Sequence, residues 1–214
     1  RTTAFLQPAQ AMLARAGAWA AMAPGATPLE TMRLVDAGGR ERMPRTRADF
    51  VSSEVQEGPF GWNVANADAR RALAARLRAL QAVTVIEGAG VADLVTRSGE
   101  AFARLSDGRQ VHARLVVAAD GRDSPVREAA GIGATRWAYG QRALVFRVAH
   151  DAPHGNVSTE IHSTGGPCTL VPMPDHEGRP SSSVVWMMPG PRAEALMAAD
   201  DARLGAALTA EPMG

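Results

Sequence analysis

The stretch from Arg114 to Gly131, RLVVAADGRDSPVREAAG, constrains this chain most, because it reads as a strand, a sharp loop and a helix in immediate succession. Leu115 to Ala119 is a short apolar run with two adjacent valines. Such a run predicts a strand buried on both faces, as in a parallel sheet. Asp120-Gly121 ends it, and Ser124 reads as an N-cap with Pro125 at the first helical position. Gly131 supplies the C-terminal stop. A helix N-terminus at the end of a strand is a ready anion site, since its free N–H groups point outward. Arg122 and Arg127 add positive charge there, and Asp120 can accept from a hydroxyl or an amide.

Composition bounds the chemistry. The 214 residues suffice for one large domain or two small ones. A net charge of +1 gives no global field for nucleic acid, and no nucleic-acid partner is expected. All 23 basic residues are Arg, which excludes a Lys Schiff base and a P-loop Lys. The one cysteine, Cys168, excludes an internal disulfide and a Cys-based zinc cluster, and suits a cytoplasmic setting. In a predicted strand it reads as a buried small hydrophobe. No apolar run approaches the roughly 20 residues of a membrane span. His150 and His154 are four apart, but Pro153 and Gly155 argue against a helix aligning them, so no metal site is expected. No G-x-S-x-G elbow supports a hydrolase.

In chain order, residues 1–23 are expected to be helical after a short lead. Pro8 would lie in the first turn, Gly17 at a C-cap, and Leu6, Met12, Leu13 and Trp19 in apolar contacts. Residues 24–28 read as a loop, Thr31 to Asp36 as a strand, and Gly38-Gly39 as a reversal. Residues 40–59 read as loop with a short strand at Phe50-Val51. Phe60 to Val64 reads as a strand, followed by a helix over 67–80 capped by Asn66, with Ala69, Leu73, Leu77 and Leu80 on one face and a solvated arginine set on the others. Val83 to Ile86 reads as another strand. Gly88-Ala89-Gly90 mimics a dinucleotide loop, yet Asp93 stands where the third glycine belongs and Leu94-Val95-Thr96 reads as strand. Residues 91–97, 101–105 and 109–117 make a better β-meander, with Asp107-Gly108 as a hairpin turn. Beyond Gly131, residues 144–148, 157–161, 169–171 and 184–188 read as four strands of an antiparallel sheet, with Asp175 to Gly178 as a turn. Two short helices near 191–199 and 201–209 follow. The fold class is therefore α/β in the α+β sense.

Ala119-Asp120-Gly121-Arg122-Asp123-Ser124-Pro125-Val126-Arg127 resembles the DG motif of flavin-dependent aromatic hydroxylases, A-D-G-x-x-S-x-x-R. Other segments resemble the ubiquinone-biosynthesis branch of that family in the same order. Arg1-Thr2-Thr3-Ala4 resembles the arginine segment near the flavin. Phe60 to Val64, Asn66 and Arg70-x-x-Leu73 resemble the strand-to-helix entry beside FAD. Gly131-Ile132-Gly133 with Tyr139-Gly140-Gln141 resembles the crossing into the substrate domain, and Leu170 to Pro174 and Val184-Val185-Trp186 resemble strands of its sheet. Ala67-Asp68 departs from the residues usual in the branch.

The resemblance implies a partial FAD-binding domain of the aromatic-hydroxylase type at 1–133 and an antiparallel substrate-domain sheet with closing helices at 134–214. It implies FAD as cofactor, NAD(P)H as co-substrate, and hydroxylation of a polyprenyl phenol or quinol through a flavin C4a-hydroperoxide. The cofactor carries the hard step, so no catalytic acid or base is named. Arg1, Asn66, Asp120 and Gly121 are the candidate cofactor contacts, and Arg127 braces the motif. Ile161, Leu170, Pro172 and Trp186 are the candidate substrate-side residues, each weighed against plain core packing. A mobile apolar substrate implies peripheral membrane association and allows membership of a ubiquinone-biosynthesis complex. The family's glycine-rich opening loop and its later G-D motif are expected before Arg1 and after Gly214. The chain thus reads as the middle of a longer enzyme, and these 214 residues alone are expected to bind FAD weakly or not at all. Two alternatives stay open: a flavin-free module that binds an apolar ligand or a partner, and the same chemistry on another phenol or a polyketide.

Overall fold

Pairing rather than helix propensity decides how the chain begins. Thr2–Leu6 forms β1, whose residues lie opposite Gly61–Ala65, so the helix expected over 1–23 cannot start before Gln7. It runs as α1, Gln7–Arg15, with Pro8 in its first turn and Gly17 just past its C-cap, and α2 follows at Trp19–Met22. Leu13 is buried, whereas Leu6 and Met12 face solvent and make none of the core contacts expected of them. The computed structural model describes residues 1–39 and 44–210. They divide into two compact units, Arg1–Leu80 with Tyr139–Gly214, and Gln81–Ala138.

In the first unit, part of the expected loop at 24–28 is β2, Ala26–Leu29, which tolerates Pro28 because it is an edge strand. β3, Thr31–Ala37, starts where expected and runs one residue past Asp36. The segment read as loop with a short strand at Phe50-Val51 holds a longer strand there, β4 (Thr46–Val51), antiparallel to β3, and residues 40–43 between them lie outside the described residues. β5 is Gly61–Ala65 and α3 is Asn66–Arg78. The three-stranded sheet β1-β5-β2 packs on α1, α2 and α3 around Leu13, Ala18, Met22, Val64, Ala69 and Ala72. Ala65, not Asn66, is the N-cap of α3. The buried face of α3 is Ala69 and Ala72, small residues that allow close approach, and Leu73 and Leu77 are exposed.

The second unit is the expected meander with one helix. β6 (Val91–Thr96), β7 (Ala101–Leu105) and β8 (Gln110–Ala113) form an antiparallel sheet, with Gly108 at φ 88° in the last hairpin. α4, Pro125–Ala129, packs Val126 against Leu94, Ala101 and Ala103. Two expected strands are absent. Residues 83–86 and 115–119 have no ladder partner among the described residues, and the last meander strand stops at Ala113. Leu115 and Val117 are 76% and 77% exposed, so the run read as doubly buried is open on one side, while Val116 packs inward.

The rest of the first unit is β9 (Gln141–Ala149), β10 (Val157–Ser163), β11 (Gly166–His176) and β12 (Arg179–Pro189), then α5 (Gly190–Met197) and α6 (Asp201–Thr209). The strands are those expected, but longer. They join β3 and β4 in one sheet of order β4-β3-β10-β11-β12-β9, and β3 runs parallel to β10. The sheet thus takes strands from both sides of residue 133. β11 and β12 meet at Glu177-Gly178, both at positive φ, the two-residue hairpin that matches strand twist. Successive side chains alternate between faces. One face carries Leu144, Cys168, Val184 and Trp186, packed under Ala193 of α5 and Leu208 of α6. The other carries Arg147, Met173 and Ser183. Asn63 of β5, 2% exposed, donates through Nδ2 to Pro172 O at 2.8 Å and ties the small sheet to the large one. No helix among the described residues is long and apolar enough to cross a membrane.

Candidate functional site

Two sites emerge, one in each unit. In the first, the start of β1 and the N-terminus of α3 form one wall of a cleft of about 680 Å³. Asn66 N–H donates to Arg1 O at 3.0 Å, and Asn66 Oδ1 accepts from Thr3 Oγ1 at 2.7 Å. These bonds fix the Asn66 side chain and leave its Nδ2 uncommitted among the described residues. Arg1 and Arg70 stand on this wall; Arg147, Met173 and Ser183 form the facing sheet surface. Among the described residues the lining holds three arginines and no carboxylate. Asp68, in the first turn of α3, is held by Arg71 at 2.8 Å. Free N–H groups at the start of a helix and unopposed guanidinium groups together select an anion.

In the second unit the DG stretch is a small hydrogen-bonded device. Ser124 caps α4 by accepting from Arg127 N–H at 3.0 Å. Asp120 Oδ2 accepts from Val126 N–H at 3.1 Å. Its carboxyl is held below its ordinary value of 3.8, first by a hydrogen bond from the Ser124 hydroxyl and then by the Val126 amide. Arg127 Nη1 donates to Arg122 O at 2.8 Å and closes the loop on itself. Gly131, at φ 69°, ends the helix in a conformation that costs a side chain dearly. Its N–H and that of Ile132 bond back to Glu128 and Arg127. Gly121, Ser124 and Arg127 line a cleft of about 480 Å³ with Leu115, Val116 and Ile132. Arg127 Nε is buried without a hydrogen-bond partner among the described residues.

Two results follow for this unit. Ser124→Ala removes the cap and lowers its unfolding free energy by about 1 kcal/mol, read from the urea midpoint. Because the folded state depresses the Asp120 pKa, the Asp120 contribution is present above pH 3.8 and is lost as pH falls through the lower folded value. The stability gap between the wild type and Asp120→Asn therefore stands at neutral pH and closes in acid.

The sequence candidates fall into three places. Arg1 and Asn66 come together on one cleft, while Gly121 and Arg127 line the other and Asp120 is bonded to the first turn of α4 beside them. Ile161, Leu170, Pro172 and Trp186 lie on the sheet face away from Arg147, Met173 and Ser183. Trp186 is core under the helices, and Ile161 and Leu170 wall a separate cavity. Sequence reasoning missed Arg70, Arg147, Met173 and Ser183 as cleft residues. Strand alternation could have grouped Arg147 with Ser183 once their pairing was known. Among the described residues no three His, Cys, Asp or Glu gather to hold a metal.

The uncompensated arginines of the first cleft suit the phosphates of a dinucleotide. Comparison with known proteins gives that fit a name. Residues 7–208 match the model of the FAD binding domain family. The chain is 37% identical over 186 residues to the ubiquinone hydroxylase UbiL of Rhodospirillum rubrum, covering 87% of this chain and 41% of that protein. It is 28% identical over 137 residues to the 3-demethoxyubiquinol 3-hydroxylase of Escherichia coli, covering 64% of this chain and 34% of that one. The chain thus spans less than half the length of these relatives. Its fold superposes on PqsL of Pseudomonas aeruginosa, solved with 2-aminobenzoylacetate, with a TM-score of 0.73 at 22% identity, covering 92% of this chain and 53% of that one. It also superposes on HpxO of Klebsiella pneumoniae, solved with FAD and uric acid, with a TM-score of 0.68 at 21% identity, covering 88% and 47%. The chain belongs to the FAD-binding domain family of flavin-dependent aromatic hydroxylases.

Proposed function

We propose that this chain serves an FAD-dependent monooxygenase that hydroxylates the ring of a polyprenyl phenol or quinol in ubiquinone biosynthesis, with NAD(P)H as co-substrate. The observation that carries this reading is the carboxylate-free, three-arginine cleft at the N-terminus of α3, in a chain whose relatives are ubiquinone hydroxylases. When bound, FAD supplies the redox chemistry that activates oxygen. Arg1 and Arg70 neutralise cofactor phosphate, and Asn66, held by Thr3, donates through its amide. In the other unit, Asp120 and Arg127 keep the loop at Gly121 in a shape that presents backbone N–H groups to an anion. Met173 gives the first cleft an apolar wall, which excludes water from a ring placed there. A polyprenyl substrate resides in a bilayer, so we place the enzyme at the membrane periphery, within reach of a biosynthetic complex.

Arg70→Ala weakens flavin binding about tenfold, the loss of one charge-assisted hydrogen bond worth about 1.5 kcal/mol. Arg70→Lys recovers part of it. Titration of the purified protein with FAD, followed by flavin fluorescence, checks this. Product analysis with a polyprenyl phenol and NADPH tests the reaction. Flavin binding without ring hydroxylation would redirect the reading to another phenol.

A further inference from the structure

The large sheet has a second cavity, on the face opposite the cleft of Arg1 and Asn66. Its volume is about 400 Å³, within the usual range for small-molecule sites. It lies between the sheet, the 150–157 loop and the C-terminal half of α6. Ile161, Leu170, Val148 and Leu208 give it an apolar body. Thr159 and Arg33 line it on one side of β11, and Ser182 with His150 forms a polar end on the other.

The hydrogen bonds at that end define what it can accept. His150 Nδ1 lies 2.7 Å from Ala152 O, a group that only accepts, so Nδ1 carries the proton. In the neutral ring Nε2 is then bare, and it accepts the Ser182 hydroxyl proton at 2.9 Å. Ser182, 2% exposed, has spent its donor and keeps acceptor lone pairs at the cavity wall. Those lone pairs can accept from a donor on an occupant. Arg33 is engaged elsewhere: its Nε and Nη2 hold Asp49 Oδ1 and Oδ2 at 2.9 and 3.0 Å, a carboxylate that Arg47 shares. His154 is also self-contained: it accepts from Asn156 N–H on Nδ1, which leaves Nε2–H to donate to Met173 O at 3.1 Å.

We propose that this cavity is a binding site for a small molecule with an apolar body and one hydroxyl group, a phenol or an aliphatic alcohol, whose O–H donates to Ser182 Oγ. The site is independent of the flavin reading, because it lies on the other face of the sheet and shares no residue with the first cleft.

Calorimetric titration of the purified full chain with para-propylphenol and with propylbenzene tests it. The phenol binds saturably and about tenfold more tightly than the hydrocarbon, the worth of one buried hydrogen bond. Ser182→Ala folds as the wild type does and abolishes that preference, while Leu170→Trp fills the cavity and abolishes binding of both. Leu73→Trp, at the exposed edge of the opposite cleft, leaves both affinities unchanged. The proposal is overturned if the phenol does not saturate, or if Ser182→Ala keeps the preference for it. It is equally overturned if Leu73→Trp, rather than Leu170→Trp, removes binding, which would place the phenol in the first cleft.

Discussion

Trp186→Ala lowers the free energy of unfolding by about 3–5 kcal/mol, the range for deleting a large buried aromatic. Trp186 is fully buried, and its neighbours Leu144, Cys168, Val184, Met188 and Leu208 come from three strands and the last helix. No single side chain can move in to fill so large a void, so both the transfer and the cavity contributions are lost. The Arg192 guanidinium, 5.0 Å from the ring centroid, also loses its aromatic partner. Trp186 Nε1 has no hydrogen-bond partner among the described residues, so the indole N–H is not what holds the ring. Trp186→Phe therefore costs far less than Trp186→Ala. Urea unfolding followed by far-UV circular dichroism separates the two. Equal losses would mean that the N–H matters more than the packed volume.

Gly166→Ala is the second large loss, on the order of 3 kcal/mol. Two separate costs meet there. The backbone of Gly166 is at φ 111°, where a Cβ is strained. A Cβ built there would also press on the backbone carbonyl oxygen of Met187, which cannot rotate away as a side chain end could. The residue starts β11, directly after the turn from β10, so the strain is placed at the pairing of two central strands. Gly133→Ala is the matched control: a Cβ there meets nothing within 4 Å, and the change is expected to stay within about 0.5 kcal/mol. Urea midpoints for the two variants, measured side by side, check the difference.

What could be read from the sequence was mostly local. Ser124, Pro125 and Gly131 mark the ends of α4 because caps depend on a few adjacent residues. Asp107-Gly108 and Glu177-Gly178 mark hairpins for the same reason. The strands at 141–189 were legible from their turns. Residues 83–86 and 115–119 were misread because an apolar run becomes a strand only beside a partner, and local composition does not supply one. Leu73 and Leu77 had helical spacing, yet the face of α3 turned inward is set by how closely Ala69 and Ala72 approach their neighbours. The cleft was half legible. Arg1 and Asn66 were identified through resemblance, but Leu170 and Pro172 sit one residue out of step with Val171 and Met173. That single step in the alternation decides which side of the sheet a residue serves.

The parallel pairing of β3 with β10 sets the timing of assembly. Thr31 lies opposite Val157, so the two strands come from opposite ends of a long excursion that contains the whole second unit. On a ribosome, β3 emerges long before its central neighbour exists and must wait, hairpinned to β4, with one edge unsatisfied. The second unit is contiguous and can close on itself during that interval. The large sheet is therefore the late, slow event of folding, governed by loop closure across the inserted unit. Slower elongation through codons 81–138 would lengthen the vulnerable period, and a chaperone that shields the β3 edge would shorten it in effect.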